Sequence, residues 1–405
     1  MSTSHKNKFL FSSSLNLTIR IFSIALKSIA VIWLSNSMSV SDYSDYGVFN
    51  GFSNFLIIVI GFDIYKIFQR NNPTNSFNEY QGKSQIRIYF KTYILVFIFA
   101  VFFCVLNKSV EFFWLAIIVI SEHFIQEFYR MLIFVKRIMQ ASLLLLLKSI
   151  FFISYVIIKI KFLNELISYK DVIIFWSISN IIIVVLIFVM STKLGVYLNG
   201  PKSYSLDLKI SFKTTSLIFI SSIIVRSIIS IDKYLFSLNA SDSNVASYVL
   251  LISICSLFLV VFDSVYLSFT VPDIMKASEY DLNSLFKRFF FKGVMCLVFL
   301  FICAEVLLSF SFFTDMLNLY TNKYEYTLGL IIFLLFSISG LLEVFMVRSR
   351  LDNKNLIVSL ISGMVFYISY FTFTPVTTEA MLFLLIITFA LSLILKSIIV
   401  VRKIA

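Results

Sequence analysis

The sequence predicts an all-α integral membrane protein with about 12 transmembrane helices in two six-helix halves. Three observations lead there. First, hydrophobic residues make up 59% of the 405 and charged residues only 14%. Soluble domains run near 45–50% and about 25%, so this chain has too little charge to cover a water-facing surface. Its mean hydropathy is +0.94. Second, a spanning helix plus a short connection takes roughly 30–35 residues. The chain is therefore filled by its spans, with no room for a second, soluble domain. Third, short stretches recur about 200 residues apart. With Gly at 10 and Pro at 4, disorder, collagen, Gly/Ser linkers and most loop-rich catalytic domains are excluded.

The spans follow in order. The apolar stretch 15–34 is too long for a signal h-region and lacks an A-x-A cleavage pattern, so it is the first span. The second, 46–68, follows the polar run from Ser41 to Phe49. The third is 89–106. The fourth, 112–135, is the most polar, with Glu122, His123, Gln126, Glu127 and Arg130. The fifth, 142–158, is a short stretch interrupted by Lys148. Spans at 171–190, 214–238, 245–271, 289–312, 326–347, 356–374 and 380–401 complete the set. This gives an N-terminal six-helix bundle over 1–192, a cytoplasmic linker over 193–213 and a C-terminal six-helix bundle over 214–405.

Loop charge orients the chain. With the N-terminus cytoplasmic, the cytoplasmic segments carry about four times the Lys and Arg of the opposite loops. Both termini are then cytoplasmic. Retained loop cations explain most of the net charge of +12, so nucleic acid is not an implied partner. Cys104, Cys255, Cys296 and Cys303 lie in apolar runs without a CxxC pair and read as core residues.

The halves repeat. Gly47-x-Phe49 matches Ala246-x-Tyr248, and Phe62-Asp63 matches Phe262-Asp263. In the first of these registers Lys27 falls on Arg226. Parallel halves around a central site are a transporter architecture.

Eight cations lie inside the spans: Arg20, Lys27, Lys66, Arg130, Lys148, Arg226, Lys233 and Lys396. So do Asp63, Glu122, Glu127, Asp232, Asp263, Glu305 and Glu343. Charges at mid-membrane are costly and usually face a bundle interior or a wet cavity. Arg20, Lys66, Lys148 and Lys396 are within about two turns of a cytoplasmic helix end and can snorkel out. Lys27 and Arg226 lie deeper. Arg226 is ~18 Å from either end of its span, beyond the reach of snorkelling. Glu127 and Arg130 can pair at i, i+3, as can Asp63 and Lys66. His123 has no embedded His or Cys partner, so no zinc site is expected. There is no P-loop, G-x-S-x-G, H-E-x-x-H or G-x-G-x-x-G. The pattern predicts a transporter rather than an enzyme, with no organic cofactor and no metal.

These residues resemble a family. Span one with its embedded cations, Ser41–Phe49 and Gly61-Phe62-Asp63 resemble the N-terminal half of the Wzx-type polysaccharide flippases. Those belong to the multidrug/oligosaccharidyl-lipid/polysaccharide (MOP) exporter superfamily. Glu127-Phe128-Tyr129-Arg130 is similar to their polar span-four segment. Arg226, Asp232-Lys233-Tyr234-Leu235, Val245-Ala246-Ser247-Tyr248 and Pro272 resemble their span seven and eight pattern. The resemblance covers about residues 10–300.

The resemblance implies a MATE-like fold and the flipping of undecaprenyl-diphosphate-linked oligosaccharide across a bacterial inner membrane. Lys27 and Arg226 would neutralise the diphosphate, with Arg20, Arg130 and Lys233 as further cavity cations. In equivalent helices of the two halves, Lys27 and Arg226 would face each other across the cleft. Glu122, Glu127, Asp63, Asp263 and Asp232 are the candidates for coupling to H⁺ or Na⁺. The implied partners are the lipid-linked oligosaccharide, the bilayer, a polysaccharide polymerase and a chain-length regulator. Two rivals remain. A multidrug exporter of the same fold would be expected to have an acidic or neutral cavity. An O-antigen polymerase or glycosyltransferase would be expected to carry a large outer loop, and the outer loops here are short.

Overall fold

The computed structural model describes residues 3–63, 65–66, 79–107, 110–134, 137–162, 165–194, 208–277, 281–310 and 322–404. Among them no strand occurs. The long helices are α1 (Thr3–Ser37), α2 (Val40–Gly61), α3 (Glu79–Asn107), α4 (Glu111–Phe134), α5 (Ile138–Ile157) and α6 (Tyr169–Leu194). They continue with α7 (Leu208–Ser230), α8 (Asp242–Phe262), α9 (Phe291–Leu307), α10 (Lys323–Arg348), α11 (Asp352–Phe373) and α12 (Thr378–Ile404). A short helix, Asp232–Ser237, follows α7. A π-helical turn, Asp263–Leu267, carries α8 on into Ser268–Lys276.

Among the described residues, ten helical segments are long and apolar enough to cross a membrane. The chain is a multi-pass membrane protein. The two expected spans outside that set are α2, whose first turns are polar, and α7, whose apolar part is Ser216–Ser230. The fifth span is continuous from Ile138 to Lys161 despite Lys148.

The chain forms two compact units, one of Met1–Met38 with Asn75–Lys202 and one of Ser39–Thr74 with Ser203–Ala405. In the first, α1 packs on α5, α3 on α4, α4 on α5 and α6, and α5 on α6. In the second, α7 packs on α11, α9 on α10, α10 on α11 and α12, and α11 on α12. The second pattern is the first displaced by six helices. The starts of α2 and α8 also correspond. Ser39 and Ser241 are both extended N-caps, accepting from the Asp42 amide at 3.1 Å and the Asn244 amide at 3.4 Å. Ser39 thus stands where the sequence register puts Ser41.

The sequence division at residue 192 assigns α2 to the first half, but α2 groups with the second unit. It packs on α7, α8 and the short helix Asp232–Ser237. Glycine explains the closeness. A Cβ on Gly47 would overlap Val249, and one on Gly51 would overlap the Ser230 carbonyl. Without a hydrophobic drive between helices in lipid, such small residues let backbones approach and gain dispersion contact. α2 ends where Phe62 and Asp63 turn into the left-handed region, at φ 49° and 46°.

In the first unit Ile125, Leu132, Ala141, Leu144, Ile183 and Ile187 tie α4, α5 and α6 together. In the second, Leu342, Met346 and Val400 join α10 to α12. Large apolar side chains such as Phe99 and Val105 on α3, and Phe299 and Ile302 on α9, are exposed. That is the composition of a lipid-facing surface.

Candidate substrate site

In the first unit the embedded charges form two groups. Glu122 of α4 receives the Lys148 ammonium of α5, Asn180 Nδ2 of α6 at 3.2 Å and Gln126 Nε2 at 3.2 Å. Lys27 of α1 lies within electrostatic reach of both Lys148 and Glu122. It is exposed and has no carboxylate within 4 Å among the described residues. Lys148 pairs with this carboxylate directly, and Lys27 feels it only at longer range.

The second group lies on the neighbouring face of α4. His123 is 1% exposed, with Nδ1 2.6 Å from the Tyr93 hydroxyl. The Tyr89 hydroxyl donates to Glu127 at 3.0 Å, and Arg130 pairs with Glu127 as the i, i+3 spacing predicts. No cluster of metal-ligating side chains occurs among the described residues.

Arg20 and Lys396 do not snorkel. Arg20 is 1% exposed and donates from Nε to Ser142 Oγ at 2.9 Å. One turn on, Ser23 and Ser149 hydrogen-bond at 3.1 Å. The seam between α1 and α5 is polar here and holds the guanidinium inside the unit. Lys148 is likewise held by Glu122 rather than released.

In the second unit, Lys66 donates to Asp63 Oδ2, Glu343 Oε1 and Ser222 Oγ, each at 2.9 Å. All three ammonium donors are used. Glu343 Oε2 accepts from Lys396 at 3.1 Å. The network joins α10, α7, α12 and the residues after α2, and its two lysines balance its two acids.

Asp232 is fully buried, accepting from the Tyr248 hydroxyl at 2.5 Å and from Lys233 at 3.1 Å. Lys233 also donates to the Ile229 carbonyl at 3.0 Å, where α7 gives way to the short helix. Asp263 is exposed at the start of the π-helical turn. Arg226 differs from the other cations here. It is exposed, its guanidinium lies 5.4 Å from the centroid of the Phe336 ring, and no carboxylate is within 4 Å among the described residues.

No known protein family and no curated protein matches the sequence. Solved structures do match. A Vibrio cholerae MATE transporter, VcmN, is 11% identical, with 99% of this chain and 98% of that one covered at a TM-score of 0.64. The multidrug transporter DinF-BH is 14% identical, with 98% and 95% covered at 0.62. A MOP superfamily transporter from Pyrococcus furiosus is 12% identical, with 96% and 94% covered at 0.62. It is described as having a binding pocket of reverse polarity that suggests a different function. The chain has the MATE fold.

On that MATE fold, the residues named from sequence divide by their partners. Arg130, Lys233, Lys66, Lys148 and Lys396 are ion-paired, and Arg20 is buried and hydrogen-bonded. Lys27 and Arg226 remain accessible. Of the proposed coupling acids, Glu122, Glu127, Asp63 and Asp232 each hold a cation, and Asp263 is exposed. Sequence reasoning counted Glu343 and Lys396 but gave Glu343 no role. The available signal was that every buried charge needs a partner. Asn180 and Ser222 gave no signal, because polar residues of that kind are common in apolar helices.

Proposed function

We propose that this chain is a flippase for undecaprenyl-diphosphate-linked oligosaccharide, an O-antigen or capsule repeat unit. It would carry the unit from the cytoplasmic to the periplasmic leaflet of a bacterial inner membrane by alternating access. Both termini lie in the cytoplasm in this reading, and a polysaccharide polymerase and chain-length regulator act beside it.

One observation carries the proposal. Each unit keeps one embedded cation exposed with no carboxylate within 4 Å among the described residues, Lys27 in the first and Arg226 in the second, while the other embedded cations are engaged. A charge left in that state repels cations and attracts a desolvating phosphate, to which Arg offers a forked donor pair. The fold suits a multidrug exporter equally well, and charge is what favours the lipid diphosphate. The Pyrococcus furiosus neighbour, whose pocket of reverse polarity is described as suggesting a different function, gives this fold a precedent for a change of function with pocket charge. Proton or Na⁺ coupling would fall to Asp263 or to the acids once their partners move.

The test is genetic. Lys27→Ala and Arg226→Ala are placed in a strain that displays its surface polysaccharide through this protein. Both should lose display, and Arg226→Lys should retain part of it. Normal display with both alanine variants would overturn the reading.

A further inference from the structure

Most of the helical glycines with described surroundings are pressed against a neighbour. A Cβ on Gly47, Gly51, Gly293, Gly329 or Gly363 would overlap another side chain or backbone. Gly340, in the middle of α10, is different: a Cβ built there meets no heavy atom within 4 Å outside its own helix, among the described residues. Glycine inside a helix costs about 1 kcal/mol relative to Ala, and close packing does not account for it here.

The surroundings say what the space adjoins. Phe336, Gly340 and Glu343 follow one another at i, i+4 and i+7, so they share a face of α10. Ser222 and Arg226, at i and i+4, share a face of α7. Ser222 meets Lys66, which also holds Glu343. Arg226 lies over Phe336. The two faces therefore look at each other, joined at one end by Ser222, Lys66 and Glu343 and at the other by Arg226 and Phe336. Gly340 sits between these ends, on the face turned toward α7 rather than toward lipid. From Phe336 to Glu343 the helix rises ~10 Å.

We infer that Gly340 holds open an anion subsite between α7 and α10 that takes a phosphate or diphosphate group on the face carrying Arg226. Lys66 and Lys396 are balanced by Asp63 and Glu343, which leaves the charge of Arg226 to set the potential of the space. The guanidinium is the primary donor, and the Lys66 network closes the far end. The inference rests on the flippase reading for the source of the anion, but the subsite itself is tested apart from transport.

The experiment is thiol labelling of Gly340→Cys in permeabilised membranes, with modification at position 340 read by peptide mass spectrometry so that the native cysteines stay in place. The reagents are a sulfonate-bearing and a trimethylammonium-bearing methanethiosulfonate, each rate normalised to that reagent's rate with a free thiol, and Phe99→Cys on the exposed, mid-span side of α3 is the dry control. Position 340 should react while position 99 does not, with a normalised rate at least ~10-fold higher for the sulfonate. Arg226→Ala should abolish that preference, and excess inorganic pyrophosphate should slow the reaction severalfold. A cysteine at 340 as inert as at 99 would overturn the inference. So would equal normalised rates with both reagents, or a preference that survives Arg226→Ala. If Gly340→Cys proves unstable, Gly340→Leu replaces it. That variant fills the space and should remove any shift in Tm that pyrophosphate gives the purified protein, while an unchanged shift overturns the inference. Should labelling follow the expected pattern while no lipid-linked diphosphate is transported, the anion subsite stands and the flippase reading falls.

Discussion

Replacing Glu343 with Gln should destabilise the protein through Lys396 more than through Lys66. Lys66 would keep Asp63 and Ser222, each at 2.9 Å. Lys396 is 1% exposed, and Glu343 is its hydrogen-bond partner among the described residues. Losing that carboxylate leaves an ammonium with neither water nor counter-charge. Breaking a buried pair from one side costs about 3–5 kcal/mol. Lys396→Met alone should cost less, because Glu343 stays paired with Lys66 at 2.9 Å. The double variant Glu343→Gln with Lys396→Met removes the stranded charge and should recover part of the loss. The double-mutant cycle should then show a coupling of about 1–3 kcal/mol. The assay is equilibrium unfolding of the purified protein in mixed micelles titrated with SDS. A Glu343→Gln variant as stable as the parent, or strictly additive single effects, would refute the view that this network is a structural ion cluster.

Other expectations use the same assay. Arg226→Ala should stay within about 1 kcal/mol of the parent, since among the described residues its contact with Phe336 is the one that is lost; a larger loss would mean that Arg226 holds the fold. Gly47→Ala should cost about 1–3 kcal/mol by forcing α2 away from Val249. Gly340→Ala should be neutral or stabilising by up to about 1 kcal/mol, and equal losses at both glycines would contradict the distinction drawn between them. Tyr248→Phe should cost about 1.5–3 kcal/mol by removing a donor from the buried Asp232 carboxylate, and a neutral result would mean that Lys233 alone suffices there.

Hydropathy made the helices legible, because lipid forces every backbone group into a helix and demands about 20 apolar residues for each. The same rule hid the register and placement of α2. Its Gly47 and Gly51 carry a packing message that composition cannot read without knowing that Val249 and Ser230 oppose them. Depth set Lys27 and Arg226 apart from their neighbours, and in the structure both side chains are exposed. It failed for Arg20 and Lys396, both expected near span ends and both fully enclosed in the structure. Distance from an end measures what a side chain can reach, whereas burial depends on which helix stands beside it. Ser142 and Glu343 lie more than 50 residues away in sequence from the groups they satisfy.

Reconstituted transport tests the central claim most directly. Purified protein in proteoliposomes is given a labelled polyprenyl-diphosphate glycan, the same glycan on an uncharged polyprenol, and a cationic dye. Only the diphosphate should cross, and Lys27→Ala and Arg226→Ala should each slow it at least ~10-fold. Movement of the dye, or equal movement of the charged and uncharged lipids, would contradict the assignment of the accessible cations to an anionic cargo.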